Sequence, residues 1–249
     1  MVSWNWKAGG SASNNTDGNT TTSVSVNQTS GFSIIKYAGN SSNSTIGHGL
    51  NAEPEFLIFK EIDGAESWRV WSKYTPDTAS KALALNLSDG AFSQSGWIGA
   101  ISTSTISIGT DSSINTNGNN YIAYAFAPKQ GFSSAGSYVG NGNADGTFVY
   151  TGFKPAFILL KNTERSINWE MLDNKRPSTG QNPADDILFP NTSDAESSSQ
   201  TDRLVDFVSN GIKIRGTSLQ MNASGQKFIY MAFAENPFVA SNFNAATAR

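Results

Sequence analysis

Three carboxylates close together, Glu61, Asp63 and Glu66, have a spacing that could serve glycoside hydrolysis. They follow the apolar run Phe56–Lys60, which is typical of a β-strand. Alternation along a strand can point such acidic side chains into one cleft. Two carboxyl groups that flank a glycosidic bond can act as nucleophile and general acid. The pattern raises the hypothesis that Glu61 and Glu66 are catalytic.

A solvated hairpin turn is the interpretation of this segment that we favour. The spacing resembles the Glu-x-Asp-x-x-Glu motif of laminarinase-like glycosidases, in which apolar residues lie inside the motif. Here Gly64 and Ala65 replace them, and Asp63-Gly64 is a dipeptide that favours tight turns between two strands. We therefore expect a protein that is not an enzyme, with the glycoside hydrolase as an alternative.

A second polar segment carries the spacing of half a calcium loop. Asn141, Asn143 and Asp145 alternate and are followed by Gly146, as the oxygen ligands and the turn glycine of such a loop do. The segment begins with Asn, and its twelfth position is Gly152 instead of a bidentate Glu. An ordinary hairpin turn rich in Asn and Asp is the favoured interpretation. No cofactor is predicted, with calcium as the alternative.

The remaining chemistry is sparse, because the sequence contains one histidine and no cysteine. His48 lies between Gly47 and Gly49 at the end of a predicted strand. A single imidazole cannot form a metal cluster with a second one, and nothing in the sequence around it indicates a nucleophile. We predict that His48 is a packed, hydrogen-bonded structural residue.

Composition limits the partners that this chain can have. The 249 residues carry a net charge of −3, and only 15% of them are charged while 38% are hydrophobic. Nucleic acids and anionic membranes attract clustered Lys and Arg, which are missing from this sequence. The apolar runs have strand length and are too short to cross a bilayer. We expect no nucleic-acid partner and no membrane insertion, and the start of the chain suggests a fragment of a longer protein.

The chain is predicted to contain two copies of one β-rich half. Pro54 and Trp68 are matched by Pro155 and Trp169, and both pairs lie 101 residues apart. Further landmarks recur in the same order, which makes coincidence a poor explanation. They are Gly31–Ser33 with Gly131–Ser133, Tyr37–Asn40 with Tyr138–Asn141, Ile106–Ile108 with Ile212–Ile214, and Tyr121–Ala127 with Phe228–Ala234.

Alternating apolar residues and frequent turn signals predict an all-β protein, an antiparallel two-sheet sandwich of jelly-roll or concanavalin A-like type. We expect one domain over residues 1–249 in which both copies share an apolar interior. Helix is expected nowhere, except for a turn near Asn182–Ile187. The predicted segments are N-terminal strands over 1–30, copy one over 31–129, copy two over 131–238, and a C-terminal tail over 239–249.

The long polar segment Arg176–Thr201 is the predicted recognition surface, because loops of this length usually bind something or stay mobile. The aromatic side chains of Trp71 and Trp97 could stack on sugar rings if exposed, whereas Trp68 and Trp169 are expected in the core. The predicted ligand-binding residues are Arg176, Asn182, Asp185, Asp186, Asn191, Trp71 and Trp97.

Four runs carry a family resemblance: Gly47–Leu50, Asn141–Pro155, Asp206–Arg215 and Tyr230–Phe238. Together they resemble an uncharacterised family of C-terminal domains on tailed-phage structural proteins, and the likeness extends from Trp4 to the Ala-Thr-Ala-Arg ending. The resemblance implies a lectin-like, concanavalin A-like or laminin-G-like sandwich on a tail fibre, spike or other virion appendage. It supplies no catalytic residues.

The expected function is therefore recognition of the host cell surface, most plainly of a glycan, by a domain on the outside of an extracellular virion. A purely structural role, such as a head decoration, fibre tip or filament subunit, is the first alternative. The resemblance also implies contacts with other virion proteins and a homo-oligomer, since fibre-borne domains are commonly trimers.

Overall fold

In a computed structural model, which describes residues 3–177 and 182–236, the chain divides into two compact units. Unit 1 comprises Met1–Ala84 and Phe92–Pro128, and unit 2 comprises Leu85–Ala91 and Lys129–Arg249. The expectation of one domain over residues 1–249 stays a prediction. The boundary near Pro128 agrees with the predicted junction between the copies, but the short segment Leu85–Ala91 belongs to unit 2 although it is preceded and followed by unit 1.

Unit 1 contains two antiparallel sheets. The larger has the strand order β1-β2-β3-β11-β5-β6-β7-β8 and the smaller β4-β10-β9. The elements of unit 1, in chain order, are β1 (Ser13–Asn15), β2 (Thr22–Asn27), β3 (Phe32–Ala38), β4 (Ser44–Gly47), β5 (Phe56–Glu61), β6 (Arg69–Ser72), β7 (Lys81–Ala84), β8 (Phe92–Ser93), β9 (Ile98–Ile101), β10 (Thr105–Ile108), α1 (Ser112–Asn115) and β11 (Asn120–Phe126).

Unit 2 repeats this plan with fewer strands. One antiparallel sheet has the order β12-β18-β14-β15 and the other β13-β17-β16. Its elements are β12 (Ser133–Val139), β13 (Phe148–Tyr150), β14 (Pro155–Asn162), β15 (Glu170–Asp173), β16 (Val205–Val208), β17 (Gly211–Ile214), α2 (Leu219–Asn222) and β18 (Lys227–Ala234). The prediction of an all-β protein with antiparallel sheets and an internal duplication is confirmed.

Each unit has its own hydrophobic cluster between its two sheets. In unit 1, Leu57 and Phe59 of the larger sheet and Ile46 and Ile106 of the smaller belong to one buried cluster. In unit 2, Ile158 of one sheet and Ile212 of the other belong to a second cluster. Burial of apolar side chains from both facing sheets is the main stabilising term of such a sandwich.

The two copies agree in register as well as in sequence. Phe56 pairs with Phe126 on β11, and Phe157 pairs with Phe233 on β18. Even individual hydrogen bonds recur. The hydroxyl of Tyr37 donates to the carbonyl of Ile114 at 2.7 Å, and that of Tyr138 donates to the carbonyl of Met221 at 2.7 Å.

Two short helices were not predicted. Helix α1 begins after Asp111, whose carboxylate accepts from the backbone N–H of Ser113 at 2.9 Å, and α2 begins after Ser218, whose hydroxyl accepts from that of Gln220 at 3.4 Å. Four residues are too few to show helical periodicity in a sequence. In the described part of the chain neither helix is long or apolar enough to cross a membrane.

Two local predictions were wrong. Asn182–Ile187 does not form a helical turn; Ala184 and Ile187 instead make isolated bridges to Val205 and Ser197. Trp68 is only half-buried and stacks on Tyr124, whereas its counterpart Trp169 is fully buried. The C-terminal tail over 239–249 lies outside the described residues.

Candidate functional site

A groove of about 550 Å³ lies on the smaller sheet of unit 1, where β9 begins and β10 ends. Thr45 and Ser107 are cross-strand partners in this sheet and alternate with the buried Ile46 and Ile106. Their side chains therefore point away from the core and into the groove. The volume falls in the range of sites that bind small molecules.

Every residue that lines the groove is uncharged. Two of its three glycines lie where the chain approaches itself closely: a Cβ at Gly109 would lie 2.2 Å from the carbonyl oxygen of Gly96, and one at Gly99 would lie 3.2 Å from the Cβ of Ser107. The lining residues are Asn19, Asn43, Ser44, Thr45, Ala79, Gly96, Trp97, Ile98, Gly99, Ser107, Ile108 and Gly109.

The N-terminal segment forms one wall of the groove. Asn19 accepts from the backbone N–H of Thr45 at 2.7 Å, and its own N–H donates to the hydroxyl of Thr45 at 2.9 Å. The backbone N–H of Thr20 donates to the carbonyl of Thr45 at 3.0 Å. These bonds fix the wall against the free edge of β4.

Trp97 lines the groove and is buried in the hydrophobic cluster of unit 1. The residue is 2% exposed, and its buried indole N–H has no acceptor within the described ranges 3–177 and 182–236. A buried donor without a partner costs about 1–3 kcal/mol of stability.

The two predicted stacking aromatics are both buried in the cluster of unit 1. Trp71 is 7% exposed, and Trp97 packs edge to face on Phe59 with ring centroids 5.9 Å apart. Sugar stacking by these two residues required exposed rings, and this condition is not met.

The predicted recognition loop is held in place by its own polar side chains. Arg176 is paired with Asp173 at 2.5 Å and with Glu196. The side-chain amide of Asn182 makes two hydrogen bonds of 2.9 Å with the backbone of Phe207: it donates to the carbonyl and accepts from the N–H. These groups are engaged in fixing the segment, and residues 178–181 lie outside the described ranges.

The other three loop candidates are also tied to the protein. Asp185 and Asp186 are each 5% exposed, and Asp186 accepts from the backbone N–H of Ser199 at 3.1 Å. Asn191 accepts from the backbone N–H of Trp169 at 3.1 Å and donates to Asn168 at 2.9 Å. A large polar loop predicted a binding surface, but much of its polarity serves to anchor the loop.

The three carboxylates of the hydrolase hypothesis are engaged by separate partners in the β5–β6 hairpin. Glu61 is buried and accepts from the side-chain amide of Asn119. Asp63 accepts from the backbone N–H of Asn120 at 2.7 Å, and these bonds hold the pKa of its carboxyl below the usual range. Glu66 lies 3.6 Å from the guanidinium of Arg69. This arrangement is that of the hairpin turn that we favoured.

The segment with calcium-like spacing forms a turn held by N–H donors. The side-chain oxygen of Asn141 accepts from the backbone N–H of Asn143 at 3.0 Å and from the side chain of Asn222 at 3.0 Å. Asp145 pairs with Lys213 at 2.7 Å. One oxygen of each of these two side chains is therefore engaged within the protein. Among the described residues, no group of three or more acidic or histidine side chains is placed to hold a metal.

His48 is fully buried and bonded on both ring nitrogens, as predicted. Its Nδ1 accepts from the backbone N–H of Leu50 at 3.2 Å, and its Nε2 lies 3.3 Å from the carbonyl of Ser102, to which it donates in the neutral form. Burial lowers the pKa of the imidazole, although the Ser102 carbonyl and the charge of Asp17 act in the opposite direction.

Two side chains in unit 2 have strongly shifted pKa values that the sequence did not predict. Burial raises the pKa of Glu170 to about 7, against the opposing effect of Arg203 at 3.4 Å. Burial lowers the pKa of Lys161 to about 8. The ammonium of Lys161 donates to the carbonyls of Ser88, Arg165 and Ile167 at 2.9, 3.2 and 2.6 Å, a structural arrangement that secures a hairpin.

Large apolar side chains are exposed on the edge strand β13. Phe148 is 46% exposed and Tyr150 is 66% exposed, and the alternation along the strand places both on the face opposite Val149. Val139, the last residue of β12, is 54% exposed. Exposed apolar groups on a sheet edge are typical of protein contacts.

Residues 1–237 match the model of a family described as Domain of unknown function (DUF7483). No curated protein and no solved structure matches the chain.

Proposed function

We propose that this chain, which belongs to the DUF7483 family, is a non-enzymatic recognition domain of a phage virion appendage that binds a neutral glycan on the host surface. The observation that carries the proposal is the groove of unit 1, whose lining is uncharged but rich in amide and hydroxyl groups. Sugars present neutral hydroxyl groups, and such ligands are oriented in pockets by a few polar side chains.

The state of the titratable groups supports binding without catalysis. Glu61 and Glu66 are engaged by different partners, and His48 is buried with both ring nitrogens bonded. General acid–base catalysis requires groups that can reach a substrate and exchange a proton with it. The resemblance to domains of tailed-phage structural proteins supplies the virion context and the expected location on the particle surface.

The experiment is a binding assay with the purified domain. The protein is applied to an array of bacterial surface glycans and, labelled with a fluorophore, to whole host cells. We expect retention on a subset of neutral glycans and on cells. The proposal is wrong if the domain binds neither under conditions in which the intact particle adsorbs.

The first alternative is a structural role as a fibre tip, head decoration or filament subunit, and one observation favours it. Phe148 and Tyr150 are exposed on the edge strand β13, where contact with another virion protein or with a second copy would bury them. A homo-oligomer, such as the trimer common on fibres, would then be held by an interface above about 1,000 Å². Sedimentation of the wild type and of a Phe148→Ser, Tyr150→Ser variant distinguishes this role.

A further inference from the structure

The internal duplication supplies a comparison for the positions of the groove that lie on the strands of the smaller sheet. The β4–β10 pair of unit 1 joins Thr45 to Ser107, and the β13–β17 pair of unit 2 joins Phe148 to Lys213. The next pairs inward, Ile46 with Ile106 and Val149 with Ile212, agree in register and are buried in both units. Phe148 therefore stands at the position of Thr45.

The comparison extends to a second pair of strands in each unit, β9–β10 in unit 1 and β16–β17 in unit 2. Ile98 pairs with Ile108 on β9–β10 and Val205 pairs with Ile214 on β16–β17, so Lys213 stands at the position of Ser107 and Asp206 at that of Gly99. The carbonyl of Trp97 accepts from Gly109 at 2.7 Å, as that of Leu204 does from Arg215 at 2.8 Å. Leu204 therefore stands at the position of Trp97.

The side chains differ in a consistent way at three of these four positions, those of Thr45, Gly99 and Ser107 in unit 1; at the fourth, unit 1 has Trp97 and unit 2 has Leu204. Unit 2 has large or charged ones, and Lys213 and Asp206 are further committed to ion pairs of 2.7 Å with Asp145 and Arg215. Unit 1 has hydroxyls and glycine. The scaffold evidently tolerates Phe, Lys and Asp here, so packing does not require the small neutral residues of unit 1.

We infer that the groove of unit 1 is a saccharide site, and that the described residues of unit 2 form no equivalent, so that one site per chain is expected. The inference rests on the proposed function and specifies its chemistry. The side chains of Asn43 and Ser107 line the groove and make no hydrogen bond among the described residues. Their amide and hydroxyl groups are therefore available to the hydroxyl groups of a neutral sugar.

The chemistry of this site excludes charged ligands of either sign as its preferred class. A carboxylate or phosphate would enter without a cationic partner, and an ammonium group without an anionic one, because no lining residue carries charge. Desolvating an unpaired charge is strongly unfavourable. Neutral hexoses and N-acetylhexosamines are therefore preferred over uronic or sialic acids.

The test uses the whole chain with N-acetylglucosamine, methyl β-galactoside and glucuronic acid as probes, followed by ¹⁵N NMR of the indole N–H signals. The six tryptophans give a small set of signals, in which Trp97→Phe identifies its own. We expect a neutral probe, but not glucuronic acid, to shift the Trp97 signal most. Calorimetry with the best glycan of the array should give one site per chain.

Two variants and a matched control test whether the groove is the binding site, separately from whether the protein binds glycans at all. Ser107→Lys installs the residue that unit 2 tolerates in the same register, and it should abolish binding with an unchanged melting temperature. Asn43→Ala should weaken binding about tenfold, as expected for one hydrogen bond. The control is Lys213→Ser, which makes the opposite exchange in unit 2 and should leave binding unchanged.

Each other outcome has a definite meaning. Glycan binding that survives Ser107→Lys, or a stoichiometry of two, overturns the groove as the site while the proposed function stands. A wild-type chain that binds no array glycan and no cell overturns the proposed function, and the saccharide site with it.

Discussion

His48 is the only histidine in the sequence, so its protonation can be followed without interference from another imidazole. The ring is buried, Nδ1 accepts from Leu50, and Nε2 donates to the carbonyl of Ser102 in the neutral form. A proton on Nδ1 would remove the acceptor that Leu50 uses. Both the bonding and the burial therefore favour the neutral ring, in agreement with its lowered pKa.

We predict that acid destabilises the protein through His48. In the unfolded chain the imidazole takes up a proton near pH 6.5, whereas in the folded chain the lowered pKa delays uptake. The unfolded state therefore binds more protons just below pH 6.5, and stability is lost as pH falls through this window. A single imidazole signal that titrates at or above pH 6.5 in folded protein would contradict this.

The matched measurement compares wild type with His48→Gln, whose amide can still donate to Ser102. The free energy of unfolding is determined in urea at pH 7.5 and pH 5.5. The drop caused by acid should be smaller in the variant. The difference between proteins is the relevant quantity, because Glu170, with a pKa raised to about 7, has the opposite effect and gains stability as pH falls.

At the level of elements, each copy ties its helix to the loop after the first long strand through one buried asparagine. In copy one, Asn115 accepts from the backbone N–H of Asn40 at 2.9 Å. In copy two, Asn222 accepts from that of Asn141 at 2.9 Å and donates to the carbonyls of Asn143 and Gly216 at 2.7 and 2.8 Å. The four-residue helices position these amides.

We predict that Asn222→Ala destabilises unit 2 by about 2–3 kcal/mol, because it leaves several buried polar groups without partners. Asn143→Ala is the control: that side chain is exposed, and its loss should change the free energy of unfolding by less than about 0.5 kcal/mol. Urea denaturation monitored by tryptophan fluorescence measures both. Equal effects of the two variants would show that the Asn222 network is not stabilising.

The long apolar strands could be predicted from sequence, and the groove could not. Phe56–Lys60 matches β5 closely, because a continuous apolar run reflects burial directly. The groove depends on Asn19 meeting Thr45, a contact between distant segments that no local pattern encodes. One signal was available: at aligned positions the two copies exchange Ser107 for Lys213.

Residue type alone was also a poor guide to binding residues, because it does not show whether a side chain is buried. A tryptophan or aspartate in a polar stretch is compatible with a binding surface, yet Trp71, Asp185 and Asp186 are buried. The amount of polarity in a long loop does not reveal how much of it is used internally. The hydrogen bonds that Asn182 makes with Phe207 are one example of such internal use.

At the level of the whole molecule, the division into units depends on Leu85–Ala91, which belongs to unit 2. The ammonium of Lys161 donates to the carbonyl of Ser88 in this segment, and Ala91 donates to the carbonyl of Thr163 at 2.7 Å. Lys60 is at the equivalent position of copy one, and among the residues that the structure describes it donates only to carbonyls of its own hairpin, those of Glu61 and Gly64.

We predict that Lys161→Met lowers the free energy of unfolding by about 1–2 kcal/mol, since three carbonyl groups lose their donor. Lys60→Met should have a smaller effect, because that side chain is partly exposed and water can replace it. Limited proteolysis should also cut near Ser88 sooner in the Lys161 variant. If the two methionine variants are equally stable, the segment is held by other contacts.

The placement of Leu85–Ala91 also constrains where recombination can occur within the coding sequence of this chain. A crossover at the codon for Lys129 transfers most of the second half but leaves these seven residues behind in the donor. Recombination between related genes would therefore preserve a folded protein most readily when both halves are exchanged together. This favours inheritance of the two halves as a single unit.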